Sequence, residues 1–235
     1  TLVDNGAGAI EFGIPFSDPI ADGKAIQAAS SRALLAGMTP EKAIAIIAKL
    51  RKEGVGAPII AMTYYNIAFA FGQDKFARAL KAAGAQGLIV PDVPLEESWE
   101  LRKACSNAGI DLVYLITPNC SSGRLHRIAA KSRGFLYAVA VLGITGARKD
   151  VSGNAKALVR RAKKISRLPV VVGFGISKPA HAAKFARAGA DGVIVGSEIV
   201  NIYSKHILGG RISSGRALAE IGKFARKMNG GCLGK

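Results

Sequence analysis

Ala188-Gly-Ala-Asp-Gly-Val-Ile-Val195 reads as a helix end, a left-handed glycine turn and a buried strand, all within eight residues. A glycine accepts the positive φ that closes a helix, and a continuous apolar run suits a strand covered on both faces. The same phrase recurs upstream, as Asn5-Gly-Ala-Gly-Ala-Ile-Glu-Phe-Gly13, Ala83-Gly-Ala-Gln-Gly-Leu-Ile-Val90 and Ala108-Gly-Ile-Asp-Leu-Val-Tyr-Leu-Ile116. A looser copy is Lys52-Glu-Gly-Val-Gly-Ala-Pro-Ile-Ile-Ala-Met62. Repeats of this kind define the architecture before any single motif does. Strands are expected near residues 9–14, 58–63, 87–91, 111–116, 134–140, 169–173 and 192–196.

Amphipathic helical stretches lie between them. Thr39-Pro-Glu-Lys opens one that runs to about Arg51, with Thr39 as N-cap and Pro40 in the first turn. Ser177-Lys-Pro-Ala opens another to Ala188, and 96–108 and 121–131 fit the same pattern. Seven βα units in strict alternation imply a parallel sheet with right-handed crossovers. The expected fold class is α/β, a (β/α)8 barrel that lacks its first strand in this chain, in one domain over residues 1–235. Thr1 to Asn5 reads as the end of a helix with no strand before it, so the expectation is a truncated barrel with two open edges, weakly stable and poorly active alone. A doubly wound open sheet satisfies the same alternation.

Composition narrows the function classes. With 49% hydrophobic and 21% charged residues, the chain supports a large core and is not disordered. Three scattered cysteines, Cys105, Cys120 and Cys232, form neither a disulfide framework nor a zinc pattern, and fit a reducing cytoplasm. The longest apolar region, 58–71, is too short and too polar to span a bilayer. The formal net charge of +17 is carried on helix faces, at Lys49 to Lys52, Arg160 to Lys164 and Lys223 to Lys227, without interleaved aromatics. Nucleic acid is therefore not expected as a partner, while such a field would steer an anionic small substrate.

The chemistry concentrates at strand ends. Glu11 sits inside the first apolar run, and the loop Ile14-Pro-Phe-Ser-Asp-Pro-Ile-Ala-Asp-Gly23 adds Asp18 and Asp22. A charge in a short strand is expensive to bury unless paired, hydrated or used, although a surface strand with a polar turn explains a lone Glu equally well. Val170-Val-Val-Gly-Phe-Gly-Ile-Ser and Val193-Ile-Val-Gly-Ser-Glu each read as a strand, a glycine turn and a helix start. Two such turns at the last two strands make an anion site, with Ser197 as a hydroxyl donor ahead of a short helix. The loop 143–154, glycine-flanked, is a candidate lid, with Gly146 near the same site. Asp92, between two prolines, is a turn former or a rim residue. His126, His181 and His206 fall in helices and point to no catalytic base. With no metal-ligand cluster, acid–base catalysis by carboxylates is the best-supported chemistry.

Glu11-Phe-Gly-Ile-Pro-Phe-Ser-Asp-Pro-Ile-Ala-Asp-Gly23 resembles the signature of the tryptophan synthase alpha chain family. So do Val90-Pro-Asp-Val-Pro-Leu-Glu-Glu-Ser98, Thr117-Pro-Asn119, Gly143-Ile-Thr-Gly-Ala-Arg148, Gly173-Phe-Gly-Ile-Ser177 and Ile194-Val-Gly-Ser197, in order along almost the whole chain. The resemblance implies cleavage of indole-3-glycerol phosphate to indole and glyceraldehyde 3-phosphate, in tryptophan biosynthesis and without a cofactor of its own. It implies Glu11 and Asp22 as catalytic residues, Tyr137 bordering the site and Thr145 on a mobile loop. Phosphate-binding positions would be Gly146, Gly175, Gly196 and Ser197. Pro15, Asp18, Asn66 and Asp92 would face a pyridoxal-phosphate-dependent beta chain in an alpha2beta2 heterotetramer. An idle alpha-like subunit that only activates a beta chain, or another phosphate-binding barrel enzyme, are the competing readings. The latter would need a strand-end lysine, and none is present in the strands as read.

Overall fold

The computed structural model describes residues 1–140, 153–208 and 214–233. Seven strands form one sheet: β1 (Ile10–Gly13), β2 (Ile59–Met62), β3 (Gly87–Ile89), β4 (Asp111–Ile116), β5 (Leu136–Val139), β6 (Val170–Gly173) and β7 (Gly192–Val193). All six pairings are parallel, and spatial order equals chain order. A doubly wound sheet reverses its order at a switch point, so the sequential order assigns this chain to the barrel class. The helices are α1 (Lys24–Leu35), α2 (Pro40–Lys52), α3 (Tyr65–Phe71), α4 (Gln73–Ala82), α5 (Trp99–Ala108), α6 (Ser122–Lys131), α7 (Gly153–Ile165), α8 (Pro179–Ala186), α9 (Ser197–Leu208) and α10 (Ser214–Leu233).

Strand alternation sorts side chains into two cores. Ile59, Ala61, Leu88, Leu112, Leu136, Ala138, Val170 and Val172 face outward and pack under the helices. Ile60, Ile89, Val113, Tyr137 and Val139 form a smaller inner cluster with Met62, Leu115, Phe135, Phe174 and Ile194. Residues from β2 and from beyond β7 meet in that one cluster, so the sheet curls on itself. Within the described residues, β1 and β7 each pair with one strand only. Their residues are half-buried or exposed, whereas those of β3 and β5 are fully buried. Helices bridge this seam from outside, where Arg32 Nη2 of α1 donates to Ser204 Oγ of α9 at 2.8 Å. No residue of α1 is fully buried, and nearby Ile20 and Leu35 are 74% and 89% exposed.

The helix starts follow from local chemistry. Thr39 Oγ1 accepts from Lys42 N at 3.3 Å with Pro40 in the first turn, as expected, and Ser121 caps α6 through Arg124 N. The 96–108 helix begins later, at Trp99, because Ser98 turns back through Leu95 O. The 3-10 turn Val3–Asn5 ends at Gly6, φ +95°, and Asn5 accepts from Arg226 of α10. At the opposite end of the barrel from the site, Arg51 ties two segments, 55–57 and 84–86, to the end of α2. It donates to Gly84 O (3.0 Å), Val55 O (2.5 Å), Ala57 O (2.7 Å) and Gln86 Oε1 (2.6 Å). Arg51→Met strands several half-buried carbonyls and is expected to lower stability by about 2–3 kcal/mol. A change below about 1 kcal/mol in urea unfolding would show that these bonds are replaced by solvent.

Candidate active site

β1 places Ile10 and Phe12 against the outer core, which turns Glu11 to the inner face beside Ile60 of β2. The Glu11 Oε2 atom is buried with no hydrogen-bond partner. Burial, and then the charge of Asp22, push its pKa from the usual 4.5 up to about 7. Asp22 lies in the loop after β1, where Asp22 N donates to Pro19 O (3.1 Å) and Gln27 Nε2 donates to Asp22 O (2.8 Å). Its own pKa is raised by burial and drawn back down by a hydrogen bond from Tyr64.

Tyr64 is the residue that sequence reasoning missed. It follows β2, is 3% exposed, accepts from Ala21 N at 3.0 Å and stacks on Phe16 with ring centroids 5.2 Å apart. The loop that carries Asp22 is thus pinned to the neighbouring strand's end by one hydroxyl and one ring. The only sequence signal was an aromatic pair, Tyr64-Tyr65, directly past a strand.

Across the barrel, β5 presents Tyr137, buried in the inner cluster. Its hydroxyl is held neutral far above neutrality by burial, then by the charges of Glu11 and Asp22, which places all three groups around one space. Phe174 packs edge-on to Tyr137 at 5.7 Å and has φ +65°, the one positive φ outside glycine among the described residues. Such strain persists where packing enforces it and clusters at functional sites. Gly173 is required here, because a Cβ would overlap the Tyr137 hydroxyl. Two carboxyls on one side and aromatic or aliphatic walls on the other suit a planar apolar group with a proton to exchange.

The glycine turns lie at one level. Val172 pairs with Val193, so Gly175 and Gly196 each stand three residues beyond a paired position on adjacent strands. Gly175 has φ +80°, and α9 begins at Ser197, whose first-turn amides lack intrahelical acceptors. α9 runs twelve residues rather than the short helix expected, because it packs against α1 and α10. The helix after β6 begins at Pro179 rather than at the turn itself. In between, Ser177 N donates to His181 Nδ1 at 3.4 Å and the His181 ring hydrogen-bonds the Gly175 backbone. His181, which the sequence left as a helix-surface residue, therefore braces this turn. A Cβ on Gly196 would stand 3.6 Å from Ile26, which brings this loop beside the start of α1 and the Asp22 segment.

Asp18, Asn66 and Asp92 are exposed on the loops and helix start after β1, β2 and β3. Asp92 accepts from Tyr65 N through both carboxylate oxygens (2.9 and 3.2 Å), so it caps α3, whose first turn carries Asn66. Pro15 is half-buried in the same rim. Thr145 and Gly146, with most of the 143–154 loop, lie outside the described residues. Among the described residues no group of three His, Cys, Asp or Glu side chains could hold a metal ion, and no helix is long and apolar enough to cross a membrane.

The family model for the tryptophan synthase alpha chain matches residues 1–229. The tryptophan synthase alpha chain of Methanocaldococcus jannaschii is 47% identical over 201 residues, covering 86% of this chain and 71% of the relative. That of Methanosarcina acetivorans is 45% identical over 234 residues, covering 99% of this chain and 81% of the relative. Among solved structures, a chain of the Pyrococcus furiosus tryptophan synthase a2b2 complex superposes with a TM-score of 0.87 at 40% identity, covering 97% of this chain and 89% of that one.

Proposed function

The chain belongs to the tryptophan synthase alpha chain family, and we propose that it cleaves indole-3-glycerol phosphate to indole and glyceraldehyde 3-phosphate. The observation that carries this reading is the Glu11 carboxyl, buried beside Asp22 and titrating at about 7. A general acid and base works best when its pKa lies near the working pH, since it must both give and take a proton.

In the proposed reaction Glu11 delivers its proton to C3 of the indole, which leaves positive charge on the ring nitrogen. Asp22 accepts the indole N–H and stabilises that charge where it develops. As the carbon–carbon bond breaks, its electron pair restores the neutral indole. The glycerol hydroxyl becomes the aldehyde carbonyl, and its proton returns to Glu11. Tyr137 and Phe174 border the ring. Gly175, Gly196 and Ser197, with Gly146 from the loop outside the described residues, hold the phosphate, and Thr145 of that loop contacts the substrate. Backbone amides at glycine turns and a helix start suit an anion without a cofactor.

The rim residues Pro15, Asp18, Asn66 and Asp92 form the proposed docking surface for a beta chain, in an alpha2beta2 assembly in which pyridoxal phosphate belongs to the partner. A Pyrococcus furiosus neighbour comes from such an a2b2 complex. The deciding measurement is indole release from indole-3-glycerol phosphate by the purified protein, alone and with a beta chain. Asp22→Asn is expected to lower kcat by about 10²-fold, since one group that stabilises developing charge is lost. No release by the wild-type protein under either condition would leave an idle subunit as the better reading.

A further inference from the structure

The turn 174–177, to which the phosphate head is assigned, is strained. Phe174 and Gly175 follow one another at φ +65° and +80°. A non-glycine residue in that region costs about 1–3 kcal/mol and stays there only where its surroundings hold it. On the strand side the hold is Tyr137, packed edge-on against Phe174 with ring centroids 5.7 Å apart. Ile176, 4% exposed, anchors the middle of the turn. On the helix side the hold is His181. Lys178 stands at the N-cap of α8 without a side-chain cap, and the third helical residue reaches back in its stead. Ser177 N donates to His181 Nδ1 at 3.4 Å, and the same ring hydrogen-bonds the Gly175 backbone. Ala182 and Phe185, next along α8, are fully buried, so the ring stands on a fixed base. Accepting from Ser177 requires an unprotonated nitrogen. Burial, with the charges of Lys178 and Lys184, lowers the His181 pKa and keeps the ring neutral at neutral pH.

We propose, on the reading of this turn as part of the phosphate site, that His181 is a positioning residue for the phosphate head. One imidazole fastens both ends of the Gly175–Ser177 turn and so fixes the direction of the backbone amides that meet the anion. His181 acts through the turn and touches no substrate. Without it a turn amide still lies near the anion but no longer points at it, and a hydrogen bond weakens steeply with angle. The loss therefore falls on binding of the head group and leaves the proton exchange at Glu11 intact.

Titration calorimetry on the full chain tests this, with propyl phosphate as the probe of the head and indole as the probe of the ring site. His181→Leu removes both hydrogen bonds and is expected to weaken propyl phosphate about tenfold, with indole affinity within about twofold of the wild type. His181→Gln keeps an acceptor of the kind that ordinarily closes a helix start, and is expected to recover propyl phosphate affinity to within about threefold of the wild type. In turnover of indole-3-glycerol phosphate, His181→Leu is expected to raise KM about tenfold with kcat little changed. A ring that merely starts α8 would shift the melting temperature and leave propyl phosphate affinity at the wild-type value in His181→Leu, which overturns the proposal. Equal losses in the two variants, or a parallel loss of indole affinity, would also overturn it. A wild-type protein that does not bind propyl phosphate would remove the phosphate site and the role of His181 with it. Binding that follows the expected order without any indole release would keep that role and remove only the lyase reading.

Discussion

Glu11→Gln is expected to lower indole release by about 10²- to 10⁴-fold while making the protein more stable at alkaline pH. Both effects come from the same burial. The amide keeps the shape of the carboxyl but has no proton to exchange, so the chemical step loses its shuttle. In the unfolded chain a glutamate titrates near 4.5, whereas Glu11 in the fold titrates at about 7. Between those values the unfolded state releases a proton that the folded state keeps, so stability falls as pH rises through that window. Below about 4.5 the side chain is protonated in both states and imposes no penalty. Above about 7 the penalty levels off at roughly 3 kcal/mol. The variant should match the wild type near pH 4.5 and exceed it by about that amount at pH 8, in urea unfolding at both pH values. A stability difference that does not change with pH would mean that Glu11 is solvated, and would remove the physical basis for its role.

Gly173→Ala is the second large effect, and it is one of packing. The added methyl would fall within the volume of the Tyr137 hydroxyl and ring, and Tyr137 is buried in the inner cluster. Overpacking of this kind typically lowers stability by about 1–3 kcal/mol. Here it also displaces the wall that Tyr137 and Phe174 give to the site, so kcat and KM should both worsen. Tyr137→Ala empties the same space at its own cavity cost. The double variant is therefore expected to be more stable than the sum of the single changes implies, by about 1–3 kcal/mol. Strict additivity in that cycle would mean that the two residues do not meet.

The helix–glycine–strand phrase around Gly84, Gly109 and Gly189 located β3, β4 and β7 within a few residues, because all three glycines do adopt positive φ. Thr39 and Ser121 likewise mark helix starts whose caps are local hydrogen bonds. Glu11 and Asp22 were legible as expensive charges at a strand end. The roles of Tyr64 and His181 were not legible, since each depends on a contact from another unit or on an exact helix start. Asp92 showed only that it turns the chain; that it caps α3 requires β2 and β3 to lie side by side.

By itself the sequence determined the alternation of seven strands with helices, roughly where each lies, and the residue types available at the strand ends. Those follow from periodicity, capping and glycine conformation, all of which act over a few residues. The tertiary structure alone decided that the strands follow one another around a curled sheet rather than reversing. It also decided that Glu11 loses its solvent, that Tyr137 faces it from four strands away, and that Gly173 must lack a side chain. Burial and through-space charge act between residues brought together by folding, so no reading of neighbours along the chain contains them.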